Sequence, residues 1–551
     1  MKRLTQVGLA LLIAGLVLLL KGSSPLLTTA TAQTQNKAQQ QAEDPSRDGR
    51  SAPPDTTPYW RPALPEDLAP RGIRAIPLVP PFFIVDPVVN NTDPNLTNTD
   101  TFNDGETSIT VNPANPNEIV ITAFSGGDGF NAALWHSMDG GNIWSKLFTI
   151  PAAPGVPSFL DCGSPCDQTV DYGRNNQMSG TFLSGADNVY SGTTTNPASA
   201  AAWNWLVMGG VTQMTNHLVP TSFGNADQPW LLVDRDVTTA TQDNVYVAYD
   251  DFSLVPNVHM RIAVSFGVNP PNFTVDNQSG NSFNNSAINP GHRLAVDPRN
   301  GFIWSLFQSC VSCGGDPKNI NYMLNRSTDG GATWTLNGMA GGIIVANADS
   351  TQPTPKFGTV NALLGGVDHA AVDPSTGDVY YVYGNRDAGT GNNRLANRRI
   401  FDNGSGGVTV GPENFVTGQV QAAIPSVAVT GNGIVGVFYY TFDGFSSGFP
   451  VFSAHLAQSS DQGVTFSDQV LETFLSSAMD NGDPRQRVLG DYVQMKAVGN
   501  FCFFGAFTGN GVPFGRPFSN HDPIFFRVCV AGPTPPPRPS PTPRSRPTPR
   551  P

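Results

Sequence analysis

Seven residues able to do acid–base or ligand chemistry stand just ahead of apolar, β-branched runs: Glu106, Asp167, Asp227, His292, Asp368, His369 and Asp491. Arg293, Arg487, Trp230 and Tyr492 lie beside them. Gathered at one mouth, carboxylates such as Asp227, Asp368 and Asp491 could work as a pair. One, with a raised pKa, would protonate a glycosidic oxygen while its ionised partner attacks or activates water. A ring of carboxylates with a few cations and aromatics suits a sugar or a cation, and clustered oxygens also suit a structural Ca²⁺. No EF-hand-like loop accompanies them, and the seven histidines are scattered, so copper or haem has no ligand set. The competing role at each position is structural, because an Asp ahead of a strand can cap a turn or bond a neighbouring backbone.

The elements that must position these residues recur along the chain. Ser108-Ile109-Thr110-Val111-Asn112-Pro113 is followed by Ile119-Val120-Ile121-Thr122-Ala123, and Trp230-Leu231-Leu232-Val233-Asp234 by Val245-Tyr246-Val247-Ala248-Tyr249. Leu294-Ala295-Val296-Asp297-Pro298 precedes Phe302-Ile303-Trp304, and Ala370-Ala371-Val372-Asp373-Pro374 precedes Val379-Tyr380-Tyr381-Val382-Tyr383. Weaker versions begin near Thr169, Pro425 and Tyr492. Each is a buried strand, a tight turn and a second strand rich in β-branched and aromatic residues. The starts lie roughly 60 residues apart, beyond the ~40–50 of WD40 and kelch repeats. That spacing predicts an all-β propeller of about seven four-stranded blades. The last blade lacks a strand, which Phe82-Phe83-Ile84-Val85 could supply, closing the ring and removing exposed edges.

A second repeat has the form Ser-x-Asp-x-Gly-x-x-aromatic. It occurs as Ser137, Asp139, Gly141 and Trp144; as Ser327, Asp329, Gly331 and Trp334; and as Ser459, Asp461, Gly463 and Phe466. The spacing is that of a hairpin turn: the Asp carboxylate accepts backbone N–H bonds, Gly takes positive φ, and the aromatic folds back as a plug. These three copies resemble the Asp box, or BNR repeat, of the sialidase superfamily, where such turns are rim features rather than catalytic ones. The resemblance implies a propeller, usually six-bladed in that family. It also implies a mechanism in which three arginines hold a carboxylate, a tyrosine activated by a glutamate attacks, and an aspartate is acid/base. Tyr492 with Glu106, and Arg293, Arg487 and Arg235, are the residues available for those parts. The family's Phe/Tyr-Arg-Ile-Pro motif is approached only by Arg71-Gly72-Ile73-Arg74-Ala75-Ile76-Pro77, which Ala75 interrupts.

The ends frame this region. Lys2 and Arg3, the apolar run at 7–20 and Ala30-Thr31-Ala32 predict a signal peptide over 1–32, too short for the ~20 residues of a membrane span. Residues 33–80 read as a flexible leader and 81–532 as the propeller. Residues 533–551 alternate proline with Ser, Thr and Arg and read as an extended tail able to contact an anionic cell surface. Six cysteines suit an exported protein, in the pairs Cys162–Cys166, Cys310–Cys313 and Cys502–Cys529. A net charge of −12 argues against nucleic acid. No metal or cofactor is expected apart from the Ca²⁺ considered above. The sequence therefore predicts a secreted, sialidase-like propeller, extracellular or at the cell surface, that binds or processes extracellular carbohydrate or glycoprotein. An active exo-sialidase or other glycoside hydrolase, and a non-catalytic protein-interaction scaffold, are the alternatives.

Overall fold

The computed structural model describes residues 82–83, 104–125, 134–146, 150, 153–156, 166–184, 187–254, 257–284, 291–312, 317–350, 368–416, 421–476, 489–509 and 521–529. The signal, leader and tail segments lie outside them, as do Cys162, Cys313 and Arg487.

The described strands form seven antiparallel blades in chain order. Their innermost strands are Asp104–Val111, Cys166–Tyr172, Ala226–Arg235, Arg293–Val296, Asp368–Val372, Ala422–Val429 and Gln494–Val498. Each inner strand packs beside the next, and that of blade seven packs beside that of blade one, so the array is a closed ring. Blades pack face to face, which buries both faces of their strands. Asp243–Asp251 is buried at every position, and the main apolar clusters lie between blades rather than within them. Phe438, Tyr440 and Phe452 of blade six meet Phe503, Phe507 and Phe526 of blade seven. Trp304 and Tyr322 of blade four meet Tyr381 and Tyr383 of blade five.

Departures from the expected four-stranded blade are local: the sheets of blades three and five each carry a fifth, two-residue strand, Phe283–Asn284 and Asn414–Phe415. Blade two has three strands, and after Val189–Thr194 the chain instead bridges Thr193 to Asn204, with Trp203 and Trp205 stacked at 5.9 Å. Blade seven has three longer strands and, at its outer edge, the two-residue strand Phe82–Phe83 paired to Phe525 and Ile524. Ile84 and Val85 lie outside the described residues, so a full closing strand there is not established. Cys502 and Cys529 oppose each other on neighbouring strands of this blade and form a disulfide. Cys310 is also disulfide-bonded. Among the described residues no helix is long and apolar enough to cross a membrane.

The turns follow the side chains that the sequence places in them. Thr238 and Thr239 N–H donate to Asp236, Arg299 N–H to Asp297, and Ser375 and Thr376 N–H to Asp373, each closing the turn after an inner strand. The three Ser-x-Asp-x-Gly turns share one hydrogen-bond pattern. Ser137, Ser327 and Ser459 hydroxyls accept from Gly141, Gly331 and Gly463 N–H at 2.8–2.9 Å. They also donate to Asp139, Asp329 and Asp461, whose carboxylates accept a further N–H at Ile143, Thr333 and Thr465. The glycines have φ of +88°, +87° and +77°, and Trp144, Trp334 and Phe466 are buried.

One irregularity sets the geometry of the channel. Inner strands of blades one, two, three and six carry a bulge near their start, with Glu106, Asp167, Gln228 and Ile424 at φ of +53°, +45°, +46° and +55°. An extra residue in left-handed conformation bends the strand and re-aims the neighbouring side chains.

Candidate functional site

The inner strands are laced together one level above the bulges. Ser108 accepts from Val170 N–H, Thr169 from Leu231 N–H, His369 Nδ1 from Val427 N–H, Ser426 from Met495 N–H, and Gln494 Oε1 from Ile109 N–H, at 2.9–3.2 Å. Each is one blade's side chain taking the first backbone donor past the equivalent position of the next. This belt satisfies N–H groups that a strand edge facing the channel would otherwise leave unpaired. The sequence reading missed Ser108, Thr169, Ser426 and Gln494. Their signal was a small or amide hydrogen-bonding residue four positions before the inner turn in blades one, two and six, and in the corresponding register of blade seven. The counterparts in blades three and four are Trp230 and Arg293, which do not join the belt but stack on each other.

Among the described residues, that stack packs across the channel at the strand-start side. The Arg293 guanidinium lies 4.7 Å from the Trp230 ring and 5.4 Å from the Tyr492 ring. Trp230 is edge-on to both Tyr492 and His369, at 5.7 and 5.4 Å. Arg293 donates to His292 carbonyl oxygen at 2.9 Å and to Gln228 Oε1 at 3.4 Å, while Gln228 Nε2 donates to Asp491 at 3.1 Å. Glu106 Oε1 accepts from Asp491 N–H at 3.1 Å. Fractional exposure is 1% for Arg293 and Glu106, 2% for Trp230, 4% for Tyr492, 6% for Asp491 and 9% for Asp227. Burial, then the charges of Glu106 and Asp167, push the Tyr492 hydroxyl well above its ordinary pKa, and that hydroxyl points at Gln168 carbonyl oxygen, 3.5 Å away. The structure therefore does bring Tyr492, Glu106, Asp491, Asp227, Arg293 and Trp230 together, as a packed layer.

Other expected residues lie inside blades. His292 is fully buried, its Nε2 2.9 Å from Ser305 Oγ and its Nδ1 3.2 Å from Tyr249 carbonyl oxygen; burial pushes its pKa down to about 3. Asp368 accepts from Gln308 Nε2 at 2.6 Å and Tyr381 hydroxyl at 2.8 Å; burial pushes its carboxyl up to about 6 against those two bonds. Asp167 is partly exposed. Tyrosines hydrogen-bonded to glutamates do occur, but they are Tyr383 with Glu413, flanked by Arg398, on blade five, and Tyr172 with Glu118, at 3.0 Å, between blades two and one. Among the described residues no group of three His, Cys, Asp or Glu is arranged to hold a metal ion.

On the strand-end side of the plug the channel opens into a cavity of about 470 Å³. Trp230, His369 and Gln494 form its inner end, Asp234 and Lys496 line it further out, and Pro298 and Asn500 belong to the turns at its mouth. Lys496 Nζ is held 2.9 Å from Asp171, which also accepts from Val233 N–H and Thr110 hydroxyl. Asp234 accepts one bond, from Arg235 N–H at 2.6 Å. Its surface reaches the channel, yet protein surrounds it. Enclosure pushes its carboxyl up to about 7; the Arg235 N–H opposes this, and the charges of Asp171 and Asp243 add to it. Burial, with the positive charges of Arg293 and Lys496, pushes His369 down to about 3, so its ring is neutral. Since its Nδ1 accepts from Val427, Nε2 carries the hydrogen.

No protein-family model matches the chain, and no curated protein matches it. Similar solved structures include the polysaccharide lyase Uly1, at 10% identity over 84% of this chain and 99% of that one, TM-score 0.44. Another is the six-bladed fungal lectin of Aleuria aurantia, described with a novel fucose recognition mode, at 14% identity over 66% and 95%, TM-score 0.36. A third is a Penicillium chrysogenum α-L-arabinanase complexed with arabinobiose, at 13% identity over 55% and 92%, TM-score 0.32. The propeller itself rests on the strand order and ring contacts above, not on these likenesses.

Proposed function

We propose that this chain is a secreted, sialidase-like propeller that binds extracellular carbohydrate without hydrolysing it. The observation that carries the reading is the packed layer that the described residues form across the strand starts. A glycosidase needs two carboxylates facing a space that admits a glycosidic bond and, for most mechanisms, a water. Here Asp491 and Glu106 are buried in a packed layer, Asp227 is at its edge, and Asp368 is bonded inside a blade. Tyr492 is held protonated, the opposite of what a tyrosine nucleophile requires. The Ser-x-Asp-x-Gly turns support the sialidase-superfamily assignment, and the cysteine content supports export.

The test pairs two assays on the purified chain. Aglycone release from a fluorogenic aryl sialoside is compared between the wild type and an Asp491→Ala, Tyr492→Phe double variant, and the wild type is applied to an array of immobilised glycans. Array binding with no turnover above the double variant is the expected result. Turnover that the double variant loses would make the protein a sialidase and refute the reading; silence on the array would refute the carbohydrate partner.

A further inference from the structure

We propose that the strand-end cavity is the docking site of the chain's own proline-rich segment, residues 530–551, which lies outside the described residues. The proposal goes beyond the carbohydrate reading above and does not draw on it.

Connectivity delivers that segment to the cavity. The inner strand of blade seven, Gln494–Val498, runs to the strand-end side, turns through Gly499 and Asn500, and pairs Val498 with Cys502 on the way back. Both turn residues are exposed and line the cavity. Cys529, the last described residue, lies opposite Cys502 and is bonded to it. Residues 530–551 therefore start on the side where the cavity opens, two strand spacings, or roughly 10 Å, from the inner strand. Their first arginine, Arg538, is nine positions beyond Cys529. At the ~3.1 Å per residue of polyproline II those nine residues reach about 28 Å, enough to enter the cavity.

The walls suit prolines. Leu232, Pro298, Ala371, Pro374 and Ala497, from blades three, four, five and seven, line the cavity and are partly exposed, so an occupant meets them directly. A proline-rich chain prefers polyproline II before it binds, so docking costs it little conformational entropy. Its rings gain by leaving water for these aliphatic surfaces. Each proline also offers a carbonyl acceptor and no N–H donor. The cavity supplies the donor, because Lys496 has three ammonium hydrogens and Asp171 takes one of them at 2.9 Å. The lysine side chain is 21% exposed. At about 470 Å³ the space lies within the ~300–1,000 Å³ typical of ligand pockets, room for a few residues of the segment.

Charge favours this occupant. The segment carries Arg538, Arg544, Arg546 and Arg550 and no acidic residue, in a chain of net charge −12, so it is attracted to the body that tethers it. Residues 33–80 lack that complementarity, having as many acidic as basic side chains. A short tether also holds the segment at an effective concentration of about 1 mM, so a modest affinity is enough.

The experiment is fluorescence anisotropy of a labelled synthetic peptide of residues 530–551 titrated with full-length chains. One chain is the wild type. In the second, every proline from Pro533 to Pro551 is replaced by serine, which keeps the arginines and removes the rings. The third and fourth add Ala371→Phe, which fills the cavity, or Leu232→Ser, which strips its wall, to the serine-tail chain. We expect the serine-tail chain to bind the peptide. For a Kd of about 0.1 mM, an own segment at about 1 mM makes the wild type bind about tenfold more weakly. Ala371→Phe should abolish binding with the urea midpoint showing a folded chain; Leu232→Ser should weaken it several-fold and decides the matter if the first variant does not fold. Equal affinity for wild type and serine-tail chain, no binding to the serine-tail chain, or binding indifferent to both cavity variants each overturns the docking site. Concentration-dependent association of the wild type that the serine-tail chain lacks would hand the segment to a neighbouring copy and overturn docking within one chain.

Discussion

Replacing Arg293 by Met separates a structural plug from a ligand-holding arginine. If Arg293 is the keystone of the packed layer, the substitution removes two cation–π contacts, at 4.7 and 5.4 Å, and two donated hydrogen bonds, one of them long. Desolvated cation–π stacking is worth about 2 kcal/mol, and hydrogen bonds from a charged donor about 1.5–3 kcal/mol. Met recovers much of the packing volume, so the net loss falls near the ~3–5 kcal/mol typical of breaking a buried charged network. Urea unfolding at neutral pH, followed by tryptophan fluorescence and circular dichroism, measures it. An arginine waiting for a substrate carboxylate would behave differently: its removal would leave stability within about 0.5 kcal/mol, as for substitutions away from structural features. A change of that size would refute the plug.

Further outcomes follow from the same geometry. Alanine at Gly331 should cost about 1–2 kcal/mol for left-handed backbone, its Cβ standing 3.0 Å from Val264. At Gly141 the new Cβ would overlap the Phe525 ring of blade seven, adding about 1–3 kcal/mol of overpacking; equal losses at the two sites, by urea unfolding, would show that the inter-blade contact is immaterial. Reducing Cys502–Cys529, whose partners are 27 residues apart, should lower stability by about 3 kcal/mol; an unchanged urea midpoint with dithiothreitol, after labelling confirms reduction, would deny it a locking role. Asp234, pushed up to about 7, contributes stability present below its unfolded pKa and lost as pH rises through 7. Asp234→Asn should thus gain most over wild type above pH 7, and a difference that grows toward acid pH would be the wrong sign.

How much of this was legible in the sequence varies with the range of the interaction. Strand pairs, inner turns at Asp236, Asp297 and Asp373, and the box turns are local: a carboxylate two to four residues from the N–H it caps announces itself by spacing. The count of seven followed because each blade repeats that local grammar. The site was legible only as a set of residues near strand starts. Glu106, Asp227, Asp491, Tyr492, Arg293 and Trp230 do converge, but whether they line a space or fill it depends on bulges whose left-handed residues Glu106, Asp167 and Gln228 are not glycines. Nothing in residue type marks those positions. Gln494 and Asp234 were passed over for a similar reason, since an amide and a carboxylate in a strand acquire meaning only from what four other blades place opposite them.

The two mouths of the channel are inequivalent for a reason that can be traced to the chain. At the strand starts, bulges add a residue to several inner strands, and blades three and four spend their belt positions on the two largest side chains of that layer, Trp230 and Arg293. Both effects add volume at the same level, so the channel closes there and the carboxylates around it become partners of the plug. Toward the strand ends the inner strands are regular, with small residues such as Ala295, Ala370, Ala428 and Ala497 along the wall. The same ring therefore keeps its space at the end where the sequence shows least chemistry. A propeller that hydrolysed sugars at the strand starts would need the reverse arrangement, with small residues at 230 and 293 and the bulged carboxylates facing solvent. The distribution of side-chain volume along the axis, more than the presence of acidic residues, is what favours a binder over an enzyme.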